Sequence, residues 1–171
     1  MKCSYLISIL LAVLFLSPAI SSAACTATAP ATTPDSRFVN NGDGTVTDLV
    51  TGLIWKRCSE GQTWDGTTCT GTAATYTWQQ ALQAGPASAF AGKSNWRLPN
   101  VKELSIIVER QCSYPSINAN IFPATPSSHF WSGSPYTGST DSAWRIAFDN
   151  GYDYFGNKGI TYNVRLVCGG K

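Results

Sequence analysis

The chain has 171 residues, of which 43% are hydrophobic and 13% charged, and its formal net charge is +2. Six tryptophans, seven tyrosines and seven phenylalanines in a nearly neutral chain exclude a disordered protein. The small positive excess also argues against nucleic-acid binding, because phosphate contacts need a basic patch. The composition therefore predicts one folded domain.

The N-terminal segment is typical of an export signal. Lys2 precedes an apolar run from Leu6 to Leu16, and small residues lead up to Ala24. The run has about 11 residues, whereas roughly 20 are needed to cross a bilayer. Residues 1–24 are therefore predicted to be a signal peptide that is removed. The mature protein is expected to be periplasmic or secreted, with no transmembrane span.

The next segment, residues 25–36, is rich in Thr, Pro and Ala. This composition predicts a linker, so the folded domain is expected to span residues 37–171. Cys25 directly follows the predicted cleavage point, which makes it a candidate for lipidation that would anchor the protein to the outer membrane. A disulfide and a free thiol are the alternatives for this cysteine.

Five cysteines remain once the signal peptide is removed, and an exported protein can form disulfides. Cys58 and Cys69 flank a short Gly/Thr-rich loop, which predicts a local bridge between them. Cys112 follows a predicted helix, and Cys168 lies on the inner face of the last predicted strand, so these two are predicted to form a long-range bridge. Structural zinc is not expected, because no cysteine pair has C-x-x-C spacing and His129 is the only histidine.

The folded domain is predicted to begin with a β-hairpin and a returning strand. Strand-forming residues flank the turn Asn40–Gly44, and Gly52–Trp55 forms the third strand. The oxygen-bearing side chains of this turn suggest a calcium loop as an alternative. The EF-hand spacing fails, however, because Val39 and Val50 occupy its first and last positions.

Two short helices are predicted in the middle of the chain. Apolar residues recur at helical spacing within Thr77–Gly85. A second helix begins at the N-cap Asn100, which forms a capping box with Glu103, and is expected to end near Arg110.

The last third of the chain is predicted to form strands. Phe130–Trp131, Ala143–Phe148 and Tyr162–Cys168 are separated by turn residues, and apolar side chains alternate along them. This alternation predicts that Trp131 and Trp144 face the interior.

Four sequence blocks together resemble the Lcl C-terminal domain family. They are RFVNNGDGTVTDLVTGLIW (37–55), TWQQALQAG (77–85), NWRLPNVKEL (95–104), and the terminal group FWSGSP, AWRIAFDNG and VRLVCGG. The resemblance covers about Arg37 to Gly170. It implies a disulfide-bonded α+β domain of C-type-lectin-like fold, with two helices and a twisted antiparallel sheet with long loops.

Catalysis is not expected from these residues. His129 is not accompanied by a Gly-x-Ser-x-Gly nucleophile motif, and no spacing selects a pair of catalytic carboxylates. No cofactor and no metal are predicted. A hydrolase or oxidase on the shared fold is kept as the less favoured alternative.

Binding is the favoured function. Aromatic residues mixed with Ser, Gly, Asn and Asp are typical of binding loops. The candidate ligand-binding residues are Tyr136, Asp149, Tyr152, Asp153, Tyr154 and Asn157. The expected partner is a surface glycan or protein, and the alternative is an assembly subunit that uses the same loops to form a homo-oligomer.

A sulfated polysaccharide is among the expected ligands, because the adhesin domain of the family is associated with sulfated glycosaminoglycans. Such a ligand needs clustered cations. The candidates are Lys93, Arg97, Lys102 and the pair Lys56–Arg57. Arg97 lies within the RLPN motif and is expected instead to hold the following helix.

Overall fold

The computed structural model describes residues 24–26, 28 and 30–169. Apart from Ala24, the predicted signal peptide lies outside these residues. The strands are β1 (Ala24–Cys25), β2 (Phe38–Asn40), β3 (Thr45–Asp48), β4 (Ile54–Lys56), β5 (Thr63–Trp64), β6 (Cys69–Thr70), β7 (Thr75–Tyr76), β8 (Cys112–Ser113), β9 (His129–Pro135), β10 (Ser142–Ala147), β11 (Tyr152–Asn157), β12 (Tyr162–Asn163) and β13 (Val167–Cys168). The helices are α1 (Trp78–Ala84) and α2 (Val101–Ser105), and a 3₁₀ turn spans Asp35–Arg37.

The predicted N-terminal hairpin is confirmed. Strands β2, β3 and β4 follow one another in the chain, and each pairs antiparallel with the next. Strand β13 pairs with β4, which gives a four-stranded sheet of order β13-β4-β3-β2. In the β2–β3 turn, the Asp43 carboxylate accepts hydrogen bonds from the backbone amide and the hydroxyl of Thr45, at 3.0 and 2.6 Å. Asp43 thus stabilises the turn itself, which accounts for this residue without a calcium ion.

The second sheet has five strands in the order β11-β10-β9-β12-β7, antiparallel except for the parallel pair β12–β9. Its longest unit is the β10–β11 hairpin, paired from Ser142 with Asn157 to Ala147 with Tyr152. Lys158, just after edge strand β11, accepts a backbone hydrogen bond from Trp78, just after edge strand β7, at 3.0 Å. This hydrogen bond joins the segment that follows one edge strand to the segment that follows the other edge strand.

Both predicted helix starts are confirmed, and each has a complete capping box. Helix α2 is shorter than predicted, because it ends at Ser105 rather than near Arg110. The β-branched run from Ile106 to Val108 disfavours further helical turns. Ile107 and Val108 are nevertheless buried, and Val108 forms a bridge with Ile117.

Two apolar clusters form the core. One packs α2 and the turn after it against both sheets, through residues that include Trp55, Leu104, Phe130 and Phe148. The other lies between α1 and the sheets and includes Trp131, which is fully buried as predicted. Trp144 is only partly buried. The α+β organisation predicted for a C-type-lectin-like domain, with two helices, paired strands and two disulfides, is confirmed.

The disulfide pattern corrects one prediction. The local Cys58–Cys69 bridge is confirmed, but Cys112 is bonded to Cys25, and Cys168 is a free, buried cysteine. The predicted Cys112–Cys168 bridge is wrong because the two residues belong to different pairings. Strand β8, which contains Cys112, pairs with β1, whereas Cys168 lies in β13 opposite Ile54. The bonded sulfur of Cys25 leaves no thiol for a lipid thioether, so the structure also differs from the lipidation alternative.

In residues 25–36, predicted to be a linker, several residues are hydrogen-bonded to the domain, although most of the described residues of this segment are exposed. Thr33 is fully buried. The backbone amides of Thr32 and Thr33 donate to the Glu109 carboxylate at 3.0 and 2.7 Å, and both hydroxyls donate to it as well. Further along, the Asp35 carboxylate accepts hydrogen bonds from Asn118 and Asn120. We call residues 30–36 the N-terminal strap.

The cysteine pairing makes a first prediction. Digestion of the unreduced protein should release one peptide pair joined through Cys25 and Cys112 and another joined through Cys58 and Cys69. Cys168 should react with iodoacetamide only after denaturation, because it is buried in the native fold. Peptide mass spectrometry checks both points, and a linked Cys112–Cys168 pair would contradict the structure.

The strap makes a second prediction. Burial alone would raise the pKa of Glu109, but hydrogen bonds from Thr32, Gln111 and Thr33 outweigh it and lower the pKa from 4.5 to about 2. The carboxylate therefore stabilises the fold fully above about pH 4.5, and this stability is lost as the pH falls towards 2. We expect Glu109→Gln to lower the free energy of unfolding at neutral pH by about 2–3 kcal/mol.

Urea unfolding at several pH values measures this effect. The difference in stability between wild type and Glu109→Gln should shrink as the pH falls from about 5 to about 2.5, because the stabilisation is lost between the ordinary pKa of 4.5 and the lowered pKa of about 2. Asp141→Asn, which changes an exposed carboxylate, is the matched control and should leave stability within about 0.5 kcal/mol of wild type. A pH-independent difference for Glu109→Gln would contradict the assigned role.

Candidate functional site

The six predicted ligand-binding residues lie on or beside the β10–β11 hairpin, but the structure does not bring them to one surface. Strand β11 is an edge strand and is largely exposed along its length. Tyr152 and Tyr154 point to one face of the sheet, and Asp153 to the other, because side chains alternate along a strand. The predicted set therefore divides into separate groups.

The first group forms around Arg145 on β10, directly opposite Tyr154 on β11. The Arg145 guanidinium lies over two tyrosine rings, 5.4 Å from the centre of Tyr154 and 4.6 Å from that of Tyr162. His129 on β9 completes the group, with its ring 6.0 Å from Tyr154 and 5.4 Å from Tyr162. We call these four residues the His129 cluster.

The cluster is partly open to solvent. Tyr154 is 40% exposed and the neighbouring Tyr152 is 61% exposed, while Arg145, His129 and Tyr162 are partly buried. The Tyr154 hydroxyl accepts a hydrogen bond from the Asn150 side chain at 3.2 Å. A molecule resting on this face would meet two aromatic rings and a cation.

The charge of Arg145 is not neutralised within the described part of the chain. The ion pairs found there join Arg37 to Asp48, Lys56 to Glu60 and Arg97 to Glu103, and none includes Arg145. Its guanidinium instead contacts two tyrosine faces, the Phe155 carbonyl at 3.4 Å and Nδ1 of His129. A partly buried guanidinium of this kind favours an acidic group on a ligand.

The surroundings of His129 favour the neutral form of its imidazole. Burial lowers its pKa below the usual value, the neighbouring Arg145 lowers it further, and Asp149 acts in the opposite direction. Because the Arg145 guanidinium can only donate, His129 Nδ1 accepts, which puts the ring proton on Nε2. The cluster therefore offers a neutral N–H donor in addition to the cation.

Tyr136 belongs to a different group on the other face of the hairpin. Its ring stacks on Phe155 with centroids 4.3 Å apart and planes inclined by 5°, and it meets Trp144 edge-on at 5.1 Å. Phe155 is 53% exposed. These three rings form a small aromatic surface that the cluster does not share.

The remaining predicted residues have local roles. The Asn157 side chain accepts a hydrogen bond from the Gly159 amide at 2.9 Å, which stabilises the turn after β11. The Asp149 carbonyl accepts a hydrogen bond from the Tyr114 amide, while none of the described residues donates to its buried Oδ1. Among the described residues, no group of three or more His, Cys, Asp or Glu side chains is arranged to hold a metal ion.

Sequence reasoning missed Arg145, Tyr162 and the position of His129 in this site. The available signal was the alternation along β10, which predicts that the side chains of Arg145 and Trp144 lie on opposite faces of the sheet. The pairing of β9 with both β10 and β12 was not foreseeable from local pattern, and it is this pairing that brings the three residues together.

Several basic residues proposed for a sulfated ligand are instead used inside the fold. Lys56 and Arg57 are buried, and Arg57 donates to the carbonyls of Asn120 and Ile121. Arg97 forms a bidentate ion pair with Glu103, with both distances 2.7 Å, and holds helix α2 as expected. The predicted cations therefore do not form one basic patch.

The cluster makes a third prediction. We expect an NMR titration of His129, the only histidine, to give a pKa below the ordinary value of about 6.5. Arg145→Gln should raise this pKa, because it removes a neighbouring positive charge, whereas Tyr152→Ala should leave it nearly unchanged. A wild-type pKa at or above about 6.5 would contradict the described environment.

In the described residues, no helix is long and apolar enough to span a membrane. No curated protein matches the chain. The sequence profile of the Lcl C-terminal domain matches residues 44–168, which contain both helices, most strands of both sheets and the whole His129 cluster. The chain therefore belongs to the Lcl C-terminal domain family.

Proposed function

We propose that this protein is a non-enzymatic binding module that recognises a glycan carrying an acidic group at the His129 cluster. The observation that carries the proposal is the unneutralised Arg145 guanidinium, placed between the Tyr154 and Tyr162 rings beside an exposed edge strand. The two disulfides fit a protein that folds outside the reducing cytoplasm, where surface glycans are found.

Each group in the cluster suits part of such a ligand. Tyrosine faces pack against the apolar C–H face of a sugar ring, and their two side-chain torsions make them rigid contacts. The Arg145 guanidinium matches a carboxylate or sulfate, which it binds through parallel N–H donors. The Nε2–H of His129 adds a donor for a ring oxygen or hydroxyl.

The charge distribution supports a ligand with few acidic groups near the cluster. Only one cation belongs to the cluster, and Lys158, beyond the end of β11, is bound to the Thr140 carbonyl and to the face of Trp78. A dense polyanion gains affinity from many cations together, and its binding falls steeply with salt. We therefore propose a uronic-acid or singly sulfated unit rather than a uniformly sulfated chain.

A second candidate function is assembly through β11. The specific observation is that this edge strand carries Tyr152 and Phe155, which are 61% and 53% exposed, on its two faces. Exposed edge strands with apolar side chains favour pairing with another strand. The sedimentation of wild type and of Phe155→Lys distinguishes this function, since an assembly through β11 would dissociate in the variant.

The binding proposal makes a fourth prediction, measured on an array of acidic and neutral glycans followed by titration of the best ligand. Arg145→Gln should weaken binding by about 10–100-fold, because it removes a charge-assisted hydrogen bond. Tyr154→Ala should weaken it by about 5–10-fold, because it removes one aromatic contact. Tyr154→Phe, which keeps the ring, should bind nearly as well as wild type.

Leu49→Ala is the matched control, since Leu49 is 61% exposed but lies at the β3–β4 turn of the other sheet. It should bind like wild type. Thermal unfolding of each variant establishes that the fold is retained. Absence of acidic glycans among the bound ligands, or equal binding by Arg145→Gln, would overturn the proposal.

A further inference from the structure

A glycine within strand β11, Gly156, borders the His129 cluster and lies two residues after Tyr154. Side chains at alternate positions of a strand share one face of the sheet, so a side chain at position 156 would stand on the same face as the Tyr154 ring. The residue directly opposite Gly156 on β10 is Ala143, which also has a small side chain. Two small residues on adjacent strands therefore lie beside the cluster.

The backbone at Gly156 does not itself require glycine. Its φ lies outside the left-handed region, whereas Gly151, in the turn before β11, has a φ of +78°. Glycine is disfavoured within strands, because it has no side chain to pack and loses more conformational freedom on folding than other residues. A strand glycine with an ordinary backbone conformation therefore indicates that another group approaches closely.

The group that approaches Gly156 is the side chain of Arg145. A Cβ at position 156 would stand 2.9 Å from Arg145 Nε, 3.3 Å from Arg145 Cδ and 3.1 Å from Cε2 of Tyr162. A Cβ contact under 3.0 Å is essentially never found, so one of these groups would have to move. The Arg145 side chain is the one that can move, because it is long and unbranched, whereas the Tyr162 ring packs against the buried Trp131 ring at 4.7 Å.

We propose that Gly156 sets the preference of the His129 cluster for an acidic ligand. The absent side chain leaves room for the Arg145 guanidinium to lie between the Tyr154 and Tyr162 rings, with Nε 3.4 Å from the Phe155 carbonyl. A side chain at position 156 would displace the guanidinium from these partners. The tyrosine faces would remain for a sugar ring, but the acidic group would lose a cation that is already in place.

Gly156 acts through Arg145 and is therefore a positioning residue. Its role rests on the acidic-glycan function proposed above and deepens it, because it identifies what distinguishes an acidic from a neutral sugar at this site. Gly133 is the matched control glycine. It also lies within a strand of the same sheet and has no positive φ, but a Cβ there would be 3.6 Å or more from every neighbour, which is ordinary van der Waals contact.

The fifth prediction begins with NMR of the unliganded protein. The δ-methylene resonance of Arg145, identified as the one missing in Arg145→Gln, should be shifted upfield in wild type by the ring currents of the two tyrosines. Gly156→Ala should lose most of this shift, because the new methyl group displaces the arginine side chain. Gly133→Ala should keep it. This measurement needs no ligand, so it tests the positioning role by itself.

Binding is then measured by NMR titration with methyl glucuronide and methyl glucoside, which share a sugar ring and differ in the carboxylate. Glucose 6-sulfate is the sulfated counterpart. Wild type should bind at least one acidic sugar with a dissociation constant on the order of 1 mM, and the neutral glucoside more weakly. Gly156→Ala should weaken the acidic sugar by about tenfold and change the glucoside by less than about twofold. Gly133→Ala should bind both sugars like wild type.

A double variant separates positioning from a structural role. In the Arg145→Gln background, Gly156→Ala should weaken the acidic sugar by less than about twofold further, whereas a structural defect would weaken binding by the same factor in both backgrounds. Thermal unfolding establishes that each variant folds. If Gly156→Ala folds only together with Arg145→Gln, the contact with Arg145 is the cause, as proposed. If it folds in neither background, the role of Gly156 is structural and the proposal is overturned.

An unchanged Arg145 resonance in Gly156→Ala, or an equal loss of binding in both backgrounds, would also overturn the proposal. Either result leaves the acidic-glycan function standing, because Arg145→Gln and Tyr154→Ala test that function separately. Failure of wild type to bind either acidic sugar would instead contradict the proposed function, and the preference assigned to Gly156 would fall with it.

Discussion

A buried guanidinium, that of Arg165, holds together three parts of the chain. It donates to the Lys56 carbonyl at 2.9 Å, to the Arg57 carbonyl, and to the hydroxyls of Ser59 and Thr125. No acidic side chain pairs with it among the described residues. Burial lowers its pKa to about 9, so it remains charged at neutral pH. Because a buried charge is tolerated only while oxygens surround it, these segments have little freedom to move apart.

The position of the chain at the end of β4 follows from this constraint. Arg165 binds the backbone carbonyls of Lys56 and Arg57, and the side chains of these two residues extend to different partners. Lys56 reaches Glu60 and the Phe90 ring, while Arg57 covers Trp64 and binds the loop carbonyls at residues 120–121. The side chains around Trp64 and Phe90 are therefore positioned by a buried cation that does not itself touch either ring.

Cations in this protein are mostly paired with aromatic rings and carbonyls. Arg37 lies over Phe38, Arg57 over Trp64, Lys158 over Trp78 and Arg165 over Phe122. This use explains how a chain with 12 Lys and Arg residues lacks a continuous basic patch at the predicted positions. Arg145 differs because one of its two aromatic partners, Tyr154, lies on the exposed edge strand β11. A low net charge is thus compatible with an unneutralised cation in the His129 cluster.

The sequence itself determined the local features of the fold. These are the Asn40–Gly44 turn, the capping boxes at Thr77 and Asn100, and the Cys58–Cys69 bridge with its separation of 11 residues. Each of these features depends on residues that are close together in the chain, and local conformational propensity sets their backbone geometry. Only the tertiary structure decided the Cys25–Cys112 bridge, 87 residues apart, the strap held by Glu109, and the meeting of His129, Arg145 and Tyr162. These contacts depend on which strands lie side by side, and that choice is made by burial of the whole core, which no local pattern encodes.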